Sequence, residues 1–403
     1  MKKPIALLLA MIISLAGCGG SAPPASTPGA AAPASEAAAP ADAGSKVTKD
    51  NIKIGMVCIT DPSDQGYTYN HDQGAKKMIA NLGLKDSQYI PKFNINDTDV
   101  AATNAAINEL ISAGCQIIFA NSFSYGSAMV EAAKEHPDIQ FCHATGSDAH
   151  FNNLSNLHNY FAKIHEGRYL GGIAAGMKTK ANKLGYVAAY PYAEVISGFT
   201  AFFLGAKSVN PNVTMDVIYI NSWGDTQKER EVAEALINRG CDVISQHSDN
   251  VSPALAAQDK GVWHVGYNND MAPAAPKASL ISARIDWSIY MTMAVQDLLD
   301  GKPIPVDWGG GLSTGAVYMS PLNKDIAAPG TQEAIDKAVG EIKGGMMIFK
   351  GALVDNDGKP AVITDFNGKP IFTFTDENSF FDESSDFSAP SFNAVIKGIN
   401  IIS

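Results

Sequence analysis

The stretch Ala106-Ile-Asn-Glu-Leu-Ile-Ser-Ala-Gly-Cys-Gln-Ile-Ile-Phe-Ala-Asn-Ser122 ends a helical pattern at Gly114 and passes at once into a short apolar run that closes on polar residues. Val232-Ala-Glu-Ala-Leu-Ile-Asn-Arg-Gly-Cys-Asp-Val-Ile-Ser-Gln-His-Ser248 repeats it in the same register. Gly114 and Gly240 stand just past the two helices, where a C-cap glycine belongs. The flanks match in the same order: Lys53-Ile-Gly-Met-Val57 with Lys183-Leu-Gly-Tyr-Val187, and Ile139-Gln-Phe-Cys-His-Ala-Thr-Gly-Ser-Asp148 with Gly261-Val-Trp-His-Val-Gly-Tyr-Asn-Asn-Asp270. The chain therefore carries two copies of one βαβ scheme. Apolar runs of Val, Ile and Phe alternate with helices expected over 73–81, 100–113, 127–136 and 226–239, the pattern of parallel sheets with right-handed crossovers.

In open parallel sheets, ligands bind beyond the carboxyl ends of the strands. Two such sheets face to face make a cleft, lined by the segments after each strand: 60–69, 121–125, 145–148, 190–199, 221–225, 246–250 and 267–270. These hold Tyr67, Tyr69, Phe123, Phe199 and Trp223, together with Asn121, Ser122, Asp249, Asn268 and Asp270. Rings stack on flat faces while amides and carboxylates read donors and acceptors at a rim, so the inventory predicts a planar, polar-edged ligand, best an aromatic heterocycle. Any one ring could equally fill the core. As a group on strand-end loops they point to binding. An anion fits worse, because Lys163 and Arg168 are the only basic residues close to these loops.

At the N-terminus, Lys2 and Lys3 precede an apolar run over 5–16 that is too short to span a bilayer and right for a signal-peptide core. It closes on Leu15-Ala16-Gly17-Cys18, which resembles the lipobox of bacterial lipoproteins and implies acylation of Cys18. The expected layout is a signal peptide over 1–17 and a disordered tether over 18–50, whose Ala, Pro, Ser and Gly bury too little apolar surface to fold. The formal charge of −11 becomes −13 once Lys2 and Lys3 leave. No basic run offers a nucleic-acid surface. Cys58, Cys115, Cys142 and Cys241 sit inside apolar stretches and read as buried thiols, although export would permit a disulfide. No Cys-x-x-Cys or metal-like Cys/His spacing occurs, so neither metal nor cofactor is expected.

Four further segments carry a family resemblance. Thr60-Asp-Pro-Ser-Asp-Gln-Gly-Tyr-Thr-Tyr-Asn-His-Asp-Gln-Gly74, His143-Ala-Thr-Gly146, His165-Glu-Gly-Arg-Tyr-Leu-Gly-Gly172 and Asn221-Ser-Trp-Gly-Asp225 resemble, in order, the basic membrane protein family of ABC-transporter substrate-binding lipoproteins, which is similar to the purine nucleoside receptor. The resemblance implies an α/β chain of the type I periplasmic binding protein fold, two doubly wound parallel-sheet lobes joined by three hinge crossovers. Lobe 1 is then expected over 51–164 and 286–312, and lobe 2 over 165–285 and 313–403, with hinges near Lys163, Ala283 and Ser313. It also implies a lipid-anchored, extracytoplasmic monomer that gives a purine base or nucleoside to an ABC permease. By position, Tyr67 stands where the family has a stacking aromatic and Phe199 would stack from the other lobe. Asn121 or Ser122 stands where nucleoside binders often have an Asp, and Asn268 and Asp270 lie in the ribose- or base-reading turn. Asn268 replaces an acid there, and Arg284 is near a family lysine; both departures favour a free base such as adenine.

Two residues at the crossings keep two readings each. Glu166 is either an acceptor for a ligand amine or a helix N-terminal carboxylate favoured by the dipole. Trp287 either faces the cleft or packs at the hinge. Trp308 with Gly309, Gly310 and Gly311 reads as a close-packed turn and not as a phosphate loop. A nucleoside hydrolase could draw on Asp61, Asp64, Asp249 and Asp270, but no Gly-x-Ser-x-Gly and no His-Glu-x-x-His is present. The chain is accordingly read as a binder, with a ligand-sensing receptor or adhesin on the same fold as the alternative.

Overall fold

The computed structural model describes residues 46–402. The expected signal peptide, the expected lipid site at Cys18 and the expected tether up to residue 45 lie outside the described residues. Residues 47–403 form one compact unit. It begins ahead of residue 51, since Val47 packs against the core and Lys49 Nζ donates to Leu82 O at 2.8 Å.

The first half runs β1 (Ile54–Val57), α1 (Tyr67–Leu82), β2 (Tyr89–Lys92), α2 (Val100–Ser112), β3 (Ile117–Ala120), α3 (Gly126–Glu135), β4 (Gln140–His143), a short α4 (Asp148–Asn152) and β5 (Leu157–Ala162). The second runs α5 (Ile164–Lys178), β6 (Lys183–Ala188), α6 (Ala193–Val209), β7 (Thr214–Tyr219), α7 (Thr226–Asn238), β8 (Val243–His247), α8 (Ser252–Lys260), β9 (Trp263–Asn268) and β10 (Ser279–Ile285). The chain then returns through α9 (Ser288–Asp300) to β11 (Asp307–Gly310) and crosses again to β12 (Val317–Met319). One sheet has the order β11-β5-β4-β3-β1-β2 and the other β12-β10-β9-β8-β6-β7, extended past β7 by a last strand from the tail. All neighbours are parallel except β12, which runs against β10. In each half the order reverses about its first strand, the topology of a doubly wound sheet.

The strands read as unbroken apolar runs because both faces are covered. Ile117 and Phe119 of β3 face the core shared with α1 and α9, while Ile118 and Ala120 face the one under α2 and α3. The repeat reaches the caps. Asp99 accepts from Ala102 N and Asp225 from Lys228 N, both at 3.0 Å. Gly114 and Gly240, past the ends of α2 and α7, have φ of +82° and +91°, a conformation that a side chain would strain.

The three passages between the sheets hydrogen-bond to one another. Lys163 N donates to Gly310 O at 2.7 Å, Leu312 N to Glu166 Oε2 at 2.6 Å, and Asp286 N to Ala316 O at 2.8 Å. The tail lies mainly on the second sheet's side. Its α10 (Thr331–Lys343) packs on α5. β13 (Phe349–Lys350) pairs with β16 (Phe380–Phe381), β14 (Val362–Thr364) with β15 (Pro370–Thr373), and β17 (Ile399–Ile401) extends the sheet at β7. It also reaches the first half, where Ser388 N donates to Asp307 Oδ2 at 2.8 Å and the Phe387 ring lies 5.0 Å from that of His150 and 5.8 Å from that of Phe151. Cys58, Cys115, Cys142 and Cys241 are free and buried.

Helices α5 and α6 approach so closely that a Cβ at Gly172 would lie 1.9 Å from Phe202 O, and one at Gly205 equally near Tyr169 O. Around Gly340 of α10, by contrast, there is open space. Gly172→Ala is therefore expected to lower stability by about 1–3 kcal/mol through overpacking, and Gly340→Ala to raise it by about 0.5–1 kcal/mol. Urea midpoints of the two variants, moving in opposite directions, check this.

Candidate ligand-binding cleft

A narrow cavity of about 20 Å³, room for about one water, lies between the facing strand ends. The first half contributes Ile59, Tyr67, Asn121, Ser122, Phe123 and Thr145; the second contributes Glu194, Trp223, His247, Asp249 and Tyr267. The halves touch around it. A Cβ at Gly66 would lie 1.6 Å from Asp249 O, and the rings of Phe123 and Tyr192 are 5.6 Å apart. The clamp is shut.

Asp64 fixes the start of α1 and with it Tyr67. Its Oδ1 accepts from Gly66 N at 2.9 Å and Tyr69 N at 3.0 Å, and its Oδ2 from Thr68 N at 2.9 Å and Thr60 Oγ1 at 2.8 Å. Asn121 Oδ1 accepts from Ile59 N at 3.1 Å, and Ser122 Oγ donates to Asp97 Oδ2 at 2.6 Å, so both side chains brace the wall they line. In the second half, Asp249 N donates to Trp223 O at 3.0 Å, which ties two loops together. Buried Glu229 of α7 accepts from Ser248 Oγ at 2.7 Å and from Asn250 Nδ2, gripping the loop on both sides of Asp249. Tyr190 stacks on Tyr192 at 5.1 Å and meets Trp223 edge-on at 5.2 Å, forming an aromatic rim.

The electrostatics follow from burial. Glu194 is pushed up to about 8 by loss of solvent, against the opposing pull of the Arg168 guanidinium. Asp249 is raised well above the usual carboxylate range, first by burial and then by the neighbouring carboxylates of Asp64, Glu229, Glu194 and Asp97. His247 is held far below its ordinary value by burial and by Arg168. Its Nε2 is 3.3 Å from Glu194 Oε1. Among the described residues no lysine or arginine lines the cavity. Three polar atoms of its wall, Thr145 Oγ1, His247 Nδ1 and the Tyr267 hydroxyl, are buried without a hydrogen-bond partner. Among the described residues no group of acids, histidines and cysteines is arranged to hold a metal.

Six residues read from the sequence as site candidates do not line this cavity: Tyr69, Glu166, Phe199, Asn268, Asp270 and Trp287. Phe199 is wholly buried beside Tyr186, ring centroids 5.8 Å apart, because only the first turn of α6 reaches the cavity and Phe199 lies beyond it. Trp287 is buried at the second passage, stacked on His71 at 4.0 Å and edge-on to Tyr67 at 6.2 Å, so it backs a cavity residue without reaching the space. Glu166 is the tie to Leu312. Asn268 is buried with φ +67°, and Asp270 Oδ1 accepts from Ala272 N at 3.1 Å within its own turn. Tyr69 is half-buried on α1. Asp61 likewise accepts from Ser63 N at 2.8 Å in a turn; of the four aspartates considered for hydrolysis, Asp61, Asp64 and Asp249 line a neighbouring pocket together and Asp270 does not. Sequence reasoning missed Ile59, Thr145, Glu194, His247 and Tyr267 as individuals, although all but Ile59 fall within the strand-end segments it named. The signal was position: the last residues of a strand or the first turn of the following helix.

A family model described as Bmp, ABC transporter substrate-binding protein PnrA-like, matches residues 51–348. The chain belongs to this family. Bmp proteins hold solute for an ABC transporter on the extracytoplasmic side and are not enzymes. This Bmp chain is 34% identical over 318 residues to a purine-binding protein of Brucella abortus, covering 78% of this chain and 88% of that protein. It is 32% identical over 286 residues to the putative ABC transporter glucose-binding protein TsgA13 of Haloferax volcanii, covering 71% of each. A solute-binding protein of an ABC transporter system from Aeropyrum pernix K1 superposes with a TM-score of 0.62 at 14% identity, over 73% of this chain and 92% of that one. The architecture is therefore the type I periplasmic binding protein fold. No helix among the described residues is long and apolar enough to cross a membrane. The tail from β13 onward lies past the end of the Bmp match.

Glu194 in this Bmp protein titrates higher when folded, at about 8, than its ordinary 4.5. Its contribution to stability is thus full below the ordinary value and is lost as pH rises toward the folded one. Glu194→Gln is expected to match wild type near about pH 5 and to exceed it at about pH 8, by ~1 kcal/mol or more. Urea unfolding at both pH values reads the difference, and equal gains at the two would contradict it.

Proposed function

We propose that the cleft takes a neutral purine base, which the protein presents to an ABC permease. The observation that carries the reading is a small closed cavity with aromatic rings on both sides, Tyr67 and Phe123 against Trp223 and Tyr267, and with carboxyl groups but no cation in its wall. Rings facing each other suit a flat guest. Asp249 and Glu194 suit the polar edge of a base, and a wall without lysine or arginine offers no partner for a nucleotide's phosphates. The purine-binding relative in Brucella abortus supports the same class. A sugar is the second reading, and the Haloferax relative named for glucose is what favours it.

Thermal shift and calorimetric titration with adenine, hypoxanthine, adenosine and D-glucose distinguish these. A ligand that prefers the folded, closed protein stabilises it by about 4 kcal/mol at a thousand times its Kd. The free bases are expected to raise the melting point most and D-glucose not at all. A shift with glucose and none with any purine would sink the proposal. Closure is tested in the same titration: Gly66→Ala obstructs the approach to Asp249, so it is expected to weaken binding at least about tenfold, roughly 1.4 kcal/mol, and unchanged affinity would contradict closure at this contact.

We also propose, from the Leu15-Ala16-Gly17-Cys18 pattern, that a lipid on Cys18 anchors the mature chain and that the body works as a monomer at the end of its tether. Cys18→Ala is expected to move the protein from the membrane to the soluble fraction and to abolish labelling with a radioactive fatty acid; unchanged labelling would refute the anchor.

A further inference from the structure

Behind the second-half wall of the cavity lies a charge that the fold does not neutralise. Arg168, on α5 just past the first passage between the sheets, is 2% exposed. Its Nη1 donates to Gln246 O at 2.7 Å, while Nε and Nη2 are buried without an acceptor. The guanidinium carbon sits 3.5 Å from the centroid of the Tyr267 ring and 6.0 Å from that of Tyr186. Arginine stays protonated at any accessible pH. A buried charge without a matched partner is costly, and replacing such a group by an apolar side chain of similar size is often neutral or stabilising. Stability therefore gives no reason for Arg168 at this position. The cavity does, because Tyr267 lines it and the Tyr267 hydroxyl is itself unpartnered.

We propose that Arg168 is a specificity-determining positioning residue: acting through the Tyr267 ring it makes the second-half wall electropositive, so that a neutral heterocycle turns its acceptor edge toward Tyr267 and His247 and its N–H edge toward Asp249. The inference rests on the purine reading of the cavity. A cation over one face of a phenol attracts its ring and strengthens its hydroxyl as a donor. Arg168 also faces Glu194 and His247, and it is the positive group that opposes the desolvation of Glu194. The cavity is thereby polarised across its width, positive behind Tyr267 and acidic at Asp249.

The test compares wild type, Arg168→Met and Arg168→Lys, titrated calorimetrically with adenine and unfolded in urea without ligand. Arg168→Met is expected to bind adenine at least about tenfold more weakly with a urea midpoint equal to or above that of wild type, and Arg168→Lys to recover most of the affinity. A purely structural arginine gives the opposite signature, a lowered midpoint in Arg168→Met with affinity not recovered by lysine, and that result overturns the proposal. Arg168→Met binding as tightly as wild type overturns it as well, while leaving the purine reading intact. Wild type failing to bind adenine or hypoxanthine removes the purine reading and this inference with it.

Discussion

Three chain passages, bonded side by side, constrain everything that lies between the two sheets. Lys163 to Gly310, Leu312 to Glu166 and Asp286 to Ala316 form one ladder. The passages leave β5, β10 and β11 at their carboxyl ends. In a parallel sheet all strands end on one edge, so a connection made there turns the two binding edges toward each other. With the passages adjacent, the soft motion left to the halves is a rotation about them, the hinge movement that opens and shuts a cleft. Glu166, which does not line the cavity, ties the third passage to the first beside the Lys163–Gly310 bond.

The cavity is acidic in composition, and burial raises the pKa of its carboxyl groups. Both carboxyls, Glu194 and Asp249, are raised because a carboxylate taken out of water is expensive, and at Asp249 other carboxylates add to the effect. Their positions are set by residues outside the cavity. Glu229 grips the loop that carries Asp249, and Asp64 gathers four donors at the start of α1. Asn121 and Ser122 line the space yet spend their hydrogen bonds on the wall. Lining a cavity and reading its contents are separate roles, and these two side chains fill mainly the first. Arg168 supplies the opposing charge from one layer back, shielded by the Tyr267 ring.

Much of the fold was legible because its cues are local. The helix, glycine and strand around Gly114 and Gly240 recur with the same caps, Asp99 and Asp225, and a positive φ at each glycine is a property of the backbone there. The apolar runs at β3 and β8 announce strands covered on both faces. Strand-end loops as the place for a site followed from the parallel topology, and Tyr67, Phe123, Trp223 and Asp249 line the cavity between those loops.

What the sequence determined by itself was the duplicated βαβ plan, the buried thiols, the family and the loops that would face one another. Only the tertiary structure decided which side chains of those loops meet. Glu194 and Phe199 belong to the same helix, and the way α6 docks on its sheet sends the first to the cavity and the second into the core. Trp287 and Tyr67 are distant in sequence, and the return of α9 to the first half makes one the backing of the other. The closure of Gly66 against Asp249 and the placing of Arg168 behind Tyr267 likewise join residues far apart in the chain. Local patterning fixes where a segment bends and which face is apolar. The direction of a side chain across a gap depends on how two separately folded sheets are set, and that geometry belongs to no single segment.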